Sequence, residues 1–239
     1  TGTVTVTGAG LIERTVTISD ISGDGTLGIS IKSGTAEDLA GNIAPAAGPS
    51  ATFDVDNTLP QIVISEPSLT LTNVGPVTYT VTYLNVATIT LTEADIYLDS
   101  AGTAGGLVTV TTTGVNERTV TISDIVGNGW LGISIKPDTA ADLAGNNAPA
   151  AGPSSTFTVD NTNPQVVIGA PSQTVTSAGP VSFVLTYLNA DSISLTEDDI
   201  TVNATDTASA TVVEVSGMGL TERTVTLSGL AGNGTLGIS

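Results

Sequence analysis

The sequence predicts an all-β protein made of β-sandwich domains strung in an extended array. Three observations lead there. Apolar residues alternate with Thr at a period of two along most of the chain. Clusters of Gly, Pro, Asn and Asp interrupt that alternation at short intervals. Whole phrases also recur: Glu13-Arg-Thr-Val-Thr-Ile, Glu117-Arg-Thr-Val-Thr-Ile and Glu222-Arg-Thr-Val-Thr-Leu lie 104 and then 105 residues apart. A spacing of about one hundred residues is that of a domain, not of a solenoid turn.

Asp38-Leu-Ala-Gly-Asn42 returns as Asp142-Leu-Ala-Gly-Asn146, and Asp56-Asn-Thr-Leu-Pro60 as Asp160-Asn-Thr-Asn-Pro164. Cutting at the two Asp-Asn-Thr-x-Pro linkers gives a rear half-repeat (1–56), one complete repeat (57–160) and a repeat lacking its last strand (161–239). That frame reads as an interior excerpt of a longer array. Completion of the open end by a strand from another chain is the alternative.

Within the complete repeat the strands follow in order. Ile62-Val-Ile64 opens it, and Val77-Thr-Tyr-Thr-Val-Thr-Tyr83 places Val77, Tyr79, Val81 and Tyr83 on one face. Ile89 and Leu91 mark a third strand, closing at Glu93-Ala-Asp95, and Leu107–Val110 a fourth. Val120 and Ile122, then Leu131, Ile133 and Ile135, then Phe157 and Val159 complete the set. Gly75-Pro76, Gly105-Gly106 and Ala144-Gly-Asn146 supply turns, and Asn128-Gly129 and Asn233-Gly234 read as tight hairpins. The only helical signal is a single turn at Thr139–Leu143. Seven short alternating strands in about a hundred residues indicate an immunoglobulin-like sandwich, here without the Cys–Trp–Cys core of antibody domains.

Charge narrows the function. With 23 acidic and 5 basic residues the chain carries −18, which disfavours nucleic acid and anionic membrane surfaces as partners. There is no Cys and no His, so disulfides, thiolate metal sites and imidazole catalysis are out of reach. No apolar run is long enough to cross a membrane as a helix, and Thr1-Gly-Thr-Val is strand-like rather than a leader. The expectation is a protein that is not an enzyme.

The turn and linker phrases, Asp142-Leu-Ala-Gly-Asn146 followed by Val159-Asp160-Asn-Thr-Asn-Pro164, resemble the bacterial Ig-like tandem repeats of large calcium-binding surface adhesins. The resemblance runs through the repeat period over essentially the whole chain. It implies a bacterial extracellular or cell-surface stalk whose domain junctions bind Ca2+, and says nothing of what the stalk's tip recognises. Neighbouring repeats of the same array are the implied partners.

Sandwich topology gives the junctions a physical reading. The loop before the last strand belongs at the pole where the chain comes in, so Asp142 and Asn146 should lie beside Asp56 and Asn57, with Asp20 or Asp24 contributed by the preceding half-repeat. At the opposite pole Glu93 and Asp95 should meet Asp160 and Asn161. Carboxylates and amide oxygens are calcium's ligands, and such a cluster without a cation repels itself. The plainer alternative is an Asx-capped turn beside a solvated linker.

Smaller features have plain readings. The Thr-x-Thr ladders suit a solvated strand face. Trp130, whose counterparts are Thr26 and Thr235, has outward parity. Asn203-Ala-Thr205 and Asn233-Gly-Thr235 match the glycosylation sequon by coincidence. Two rivals to the stalk stay open: a filament subunit assembled by strand complementation, and a glycan- or protein-binding module using exposed loops or Trp130.

Overall fold

A computed structural model describes residues 1–239, and it is all-β apart from two 3-10 turns. No helix is long and apolar enough to cross a membrane. The chain forms two compact bodies, Thr1–Asn161 and Thr162–Ser239.

In the first body, β1 (Thr3–Thr7) and β2 (Thr15–Ser19) make a hairpin with Val4 opposite Ile18 and Val6 opposite Val16. Its loop is held by Arg14, whose guanidinium donates to the carbonyls of Gly10 and Glu13. β3 (Gly25–Leu27) pairs with β4 (Phe53–Val55), setting Leu27 opposite Phe53. No side chain in residues 1–56 is buried.

Residues 57–160 have a true core. The strands are β5 (Gln61–Ile64), β6 (Leu71–Thr72), β7 (Val77–Leu84), β8 (Thr88–Ile89), β9 (Ile96–Gly102), β10 (Gly105–Thr112), β11 (Glu117–Val126), β12 (Gly129–Ile135), β13 (Ala140–Ala141) and β14 (Phe157–Val159). One sheet has the order β10-β11-β7-β5 and the other β6-β14-β12-β9, with β8 and β13 as a small separate ladder. Val77, Tyr79, Val81, Tyr83, Val120 and Ile122 from the first sheet share one apolar cluster with Leu131, Ile133, Ile135, Phe157 and Val159 from the second. Two sheets enclosing one core are consistent with a β-sandwich. The period of two arises because β-branched and aromatic side chains fill one face while Thr lies on the other.

Burying tyrosine requires partners for its hydroxyl. Tyr79 donates to the Ser155 carbonyl at 2.8 Å, and Tyr83 shares a hydrogen bond with the Thr139 hydroxyl at 3.2 Å. No buried side-chain nitrogen or oxygen lacks a partner.

Four local expectations are corrected. The third strand is cut to Thr88–Ile89, and a strand not anticipated, β9, follows Glu93–Asp95. The single helical turn is a 3-10 turn at Glu93–Asp95, not at Thr139–Leu143, where Ala140 and Ala141 pair with Ile89 and Thr88. Thr92 and Asp95 close that turn as a capping box, which wins over further pairing by β8. Asn128-Gly129 is no hairpin either: it carries the chain from β11 in one sheet to β12 in the other. Gly129 has φ +141°, and a Cβ there would sit 1.9 Å from the Ala101 carbonyl oxygen, so the crossing requires glycine.

The second body repeats the same order. β15 (Gln165–Pro171), β16 (Val181–Leu188), β19 (Glu222–Ser228) and β18 (Val212–Ser216) form a sheet, and β17 (Val202–Ala204) pairs with β20 (Leu236–Ile238). Asn233-Gly234 likewise links strands of different sheets, β19 and β20. The core here is five buried side chains, Val181, Phe183, Leu185, Val225 and Leu227.

Candidate functional site

The linker Asp56-Asn57 is held from both sides. On the upstream side the Asn57 backbone N–H donates to an Asp24 carboxylate oxygen at 2.7 Å, and its side-chain amide donates to the Gly23 carbonyl at 2.6 Å. On the downstream side the Asn146 side-chain amide donates to the Asp56 carbonyl at 2.8 Å. Asp56 turns its own carboxylate onto the Thr58 N–H, and Asn85 reaches back to the Thr58 carbonyl. Five hydrogen-bonding groups thus fix a stretch of three residues.

The Asp142–Asn146 turn explains why Asn146 is aimed at the linker. One Asp142 oxygen accepts the Asn146 backbone N–H and the other accepts its side-chain amide, each at 2.8 Å. Gly145, at φ +92°, allows the chain to reverse inside five residues. Asp142 is only 7% exposed. The Asn146 amide, more than the backbone N–H groups that follow, holds its carboxyl below the usual aspartate range. The first copy is built alike, with Asp38 accepting the N–H groups of Ala40 and Asn42 and the Asn42 side chain.

Of the residues expected at this junction, Asp24, Asp56, Asn57, Asp142 and Asn146 come together. Asp20 does not bond the linker; it occupies a turn at φ 52° and accepts from the Ser19 hydroxyl.

At the other junction Asn161 is gripped as Asn57 is, its N–H on the Asn128 side-chain oxygen at 2.6 Å and its amide on the Gly127 carbonyl at 2.7 Å. The Asp160 N–H bonds the Thr72 carbonyl. Glu93 and Asp95 are not there. β12 pairs Gly129 with Gly102 and Ile135 with Ile96, so the turn before Ile96 lies at the Ile135 end of the sheet. Asp160 follows Val159, which pairs with Gly129 at the other end. A seven-residue strand, roughly 20 Å, separates them.

The expectation erred because β9 was missed, which reversed the pole to which those carboxylates belong. Glu93 accepts the Val110 N–H and Asp95 the Thr92 hydroxyl and N–H, interactions that hold both carboxyls low.

The residues present suit calcium only in part. Their oxygens are of the right kind, but both Asp142 oxygens already accept N–H donors, and no three acidic side chains form a group able to hold a metal. The geometry is fully described by the Asx-type turn and the amide clamps.

Asn85 escaped notice as a linker contact although Tyr83-Leu-Asn85 recurs as Tyr187-Leu-Asn189. Asn189 makes the same bond, to the Thr162 carbonyl at 2.9 Å, from the same left-handed backbone conformation. Trp130, 40% exposed, faces outward as its parity indicated. The sequence matches no known family model, and no curated protein matches it.

Proposed function

We propose that the chain is a segment of a non-enzymatic extracellular stalk, of the bacterial adhesin-like kind, built from tandem immunoglobulin-like repeats and stiffened where repeats meet. The observation that carries this is the linker clamp: Asn57 binds the preceding half-repeat and Asn146 of the following repeat binds Asp56. A linker tied to both neighbours, and closed by Pro60, has few torsions left free. The same amide contacts recur at Asn161 and Asn189, as a repeating mechanical element requires.

Calcium at Asp56, Asp142 and Asn146, with Asp24 adjoining, is part of the proposal as a reinforcement of that clamp. When bound it would supply positive charge to a junction of a chain carrying −18. The residues' own contribution is to orient the linker whether or not a cation is present.

The test is small-angle scattering and thermal unfolding of an in-frame three-repeat protein in calcium, in EDTA, and in magnesium at matched ionic strength. A stiff stalk gives an extended maximum dimension in all three, with a further rise in melting temperature confined to calcium. Collapse to a broad distribution of shapes in every buffer would remove the stalk reading. Identical melting in calcium and EDTA would remove the calcium part alone.

A further inference from the structure

Aromatic side chains are scarce: one Trp, four Tyr and three Phe. Six of them form pairs 104 residues apart: Phe53 with Phe157, Tyr79 with Phe183, and Tyr83 with Tyr187. Those positions fill the cores of the complete repeat and the second body. The other two, Tyr97 and Trp130, have no such role. The counterpart of Tyr97 is Thr201, and those of Trp130 are Thr26 and Thr235. Both stand in the complete repeat on adjacent strands of one sheet, 56% and 40% exposed. Where the other copies carry Thr, this repeat turns two large rings to solvent.

Strand register fixes how they are related. Along β9 and β12, Trp130 lies opposite Ala101, Gly132 opposite Asp99, and Ser134 opposite Tyr97. Alternate residues share a face, and Leu131, Ile133 and Ile135 occupy the inner one, so Trp130, Asp99, Ser134 and Tyr97 line one outer strip. The Trp130 and Tyr97 rows are four residues apart, about 13 Å along the strand. Between them the Ser134 hydroxyl donates to one Asp99 carboxylate oxygen at 2.6 Å, leaving the other for a ligand. On the β14 side Thr156 borders the strip, its methyl 3.1 Å from where a Gly132 Cβ would stand. Beyond Tyr97 the Lys136 amine sits 5.1 Å from the ring centroid and donates to the Ala94 carbonyl.

This combination selects a class of ligand. A pyranose ring has an apolar face of C–H groups that stacks on an aromatic ring, and a rim of hydroxyls that bonds a carboxylate. An apolar protein surface laid on the strip would bury Asp99 without a donor for its second oxygen. A polyanion meets a chain of net charge −18, and the one amine beside the strip is already engaged. We propose that the outer strip of β9 and β12 is a binding site for a neutral, extended oligosaccharide. Trp130 and Tyr97 stack on two of its sugar rings, and Asp99 accepts a hydroxyl of the sugar between them. None of these residues belongs to the linker clamp, so the site stands or falls independently of the stalk.

Trp130 is the only tryptophan, so its fluorescence reports the site directly. The 239-residue chain would be titrated with cellopentaose, chitopentaose and maltopentaose, each up to about 10 mM, alongside glucose and polygalacturonate. A saturable change with at least one pentasaccharide is expected, at least about tenfold weaker with glucose and absent with the polyanion. Tyr97→Thr, which installs the counterpart's residue, should weaken binding at least about tenfold with the melting temperature unchanged. If that variant melts lower, Asp99→Asn carries the same expectation. No saturable change with any pentasaccharide, equal binding of glucose or polygalacturonate, or binding indifferent to the variant would each overturn the proposal.

Discussion

Asn146 shows how one side chain can serve a turn and a junction at once. Its amide bonds Asp142 within the turn and the Asp56 carbonyl in the linker. Replacing it by Ala should cost about 1 kcal/mol for the neutral bond to Asp56 alone, measurable by urea denaturation. The contact to Asp142 adds a pH dependence. Asp142 has a folded pKa below its ordinary value, so the stability it contributes is fully present above the normal aspartate range and is lost as pH falls through the folded value. The melting-temperature gap between the native chain and Asp142→Asn should therefore be constant near neutrality and shrink below about pH 4. A gap unchanged down to about pH 2 would show that the carboxylate is not what the turn holds.

The meeting of Asp142, Asn146 and Asp56 was legible in the sequence because a loop's pole follows from strand count. Glu93 and Asp95 were misplaced for the same reason inverted, since one missed strand changes a pole. Asn57 and Asn161 were read as oxygen donors to an ion. In the structure their amide nitrogens matter more, a distinction that residue identity alone does not carry.

Among the elements, β14 and β4 are nearly the same short strand in two settings, and they separate propensity from packing. Phe157 is buried between two sheets, whereas Phe53 has only β3 beside it. Phe157→Ala should destabilise residues 57–160 by about 3–5 kcal/mol. Phe53→Ala should move the same transition by less than about 1 kcal/mol. Equal effects in denaturant titrations would mean that residues 1–56 share the core. Most strands were legible because their alternation is regular, as in Val77–Tyr83. β9 was not: Ile96 and Leu98 alternate with an exposed Tyr97 and with Asp99, directly after a run of acidic residues. The pull of that strand comes from β12, along which all seven residues pair, and from Asp99 accepting the Ser134 hydroxyl. A partner far along the chain is invisible to a local pattern. The sheet change at Asn128-Gly129 was hidden likewise, because Asn-Gly serves a hairpin and a crossover equally well.

For the whole molecule, the net charge of −18 spread over all-β bodies makes self-repulsion a general destabilising term. Raising NaCl from about 0.01 to 0.15 M should raise the melting temperature, as the Debye length shortens from about 30 to 8 Å. A melting temperature that falls with salt would contradict this. Immobilisation of the linker by its neighbours is read by backbone 15N relaxation across Val55–Gln61 in the native chain and in Asn146→Ala. Order parameters of about 0.85 are expected at Asp56, Asn57 and Thr58, matching β7 and β12, with a drop confined to the linker in the variant. Native values below about 0.6 at those three residues would show a flexible hinge and contradict it.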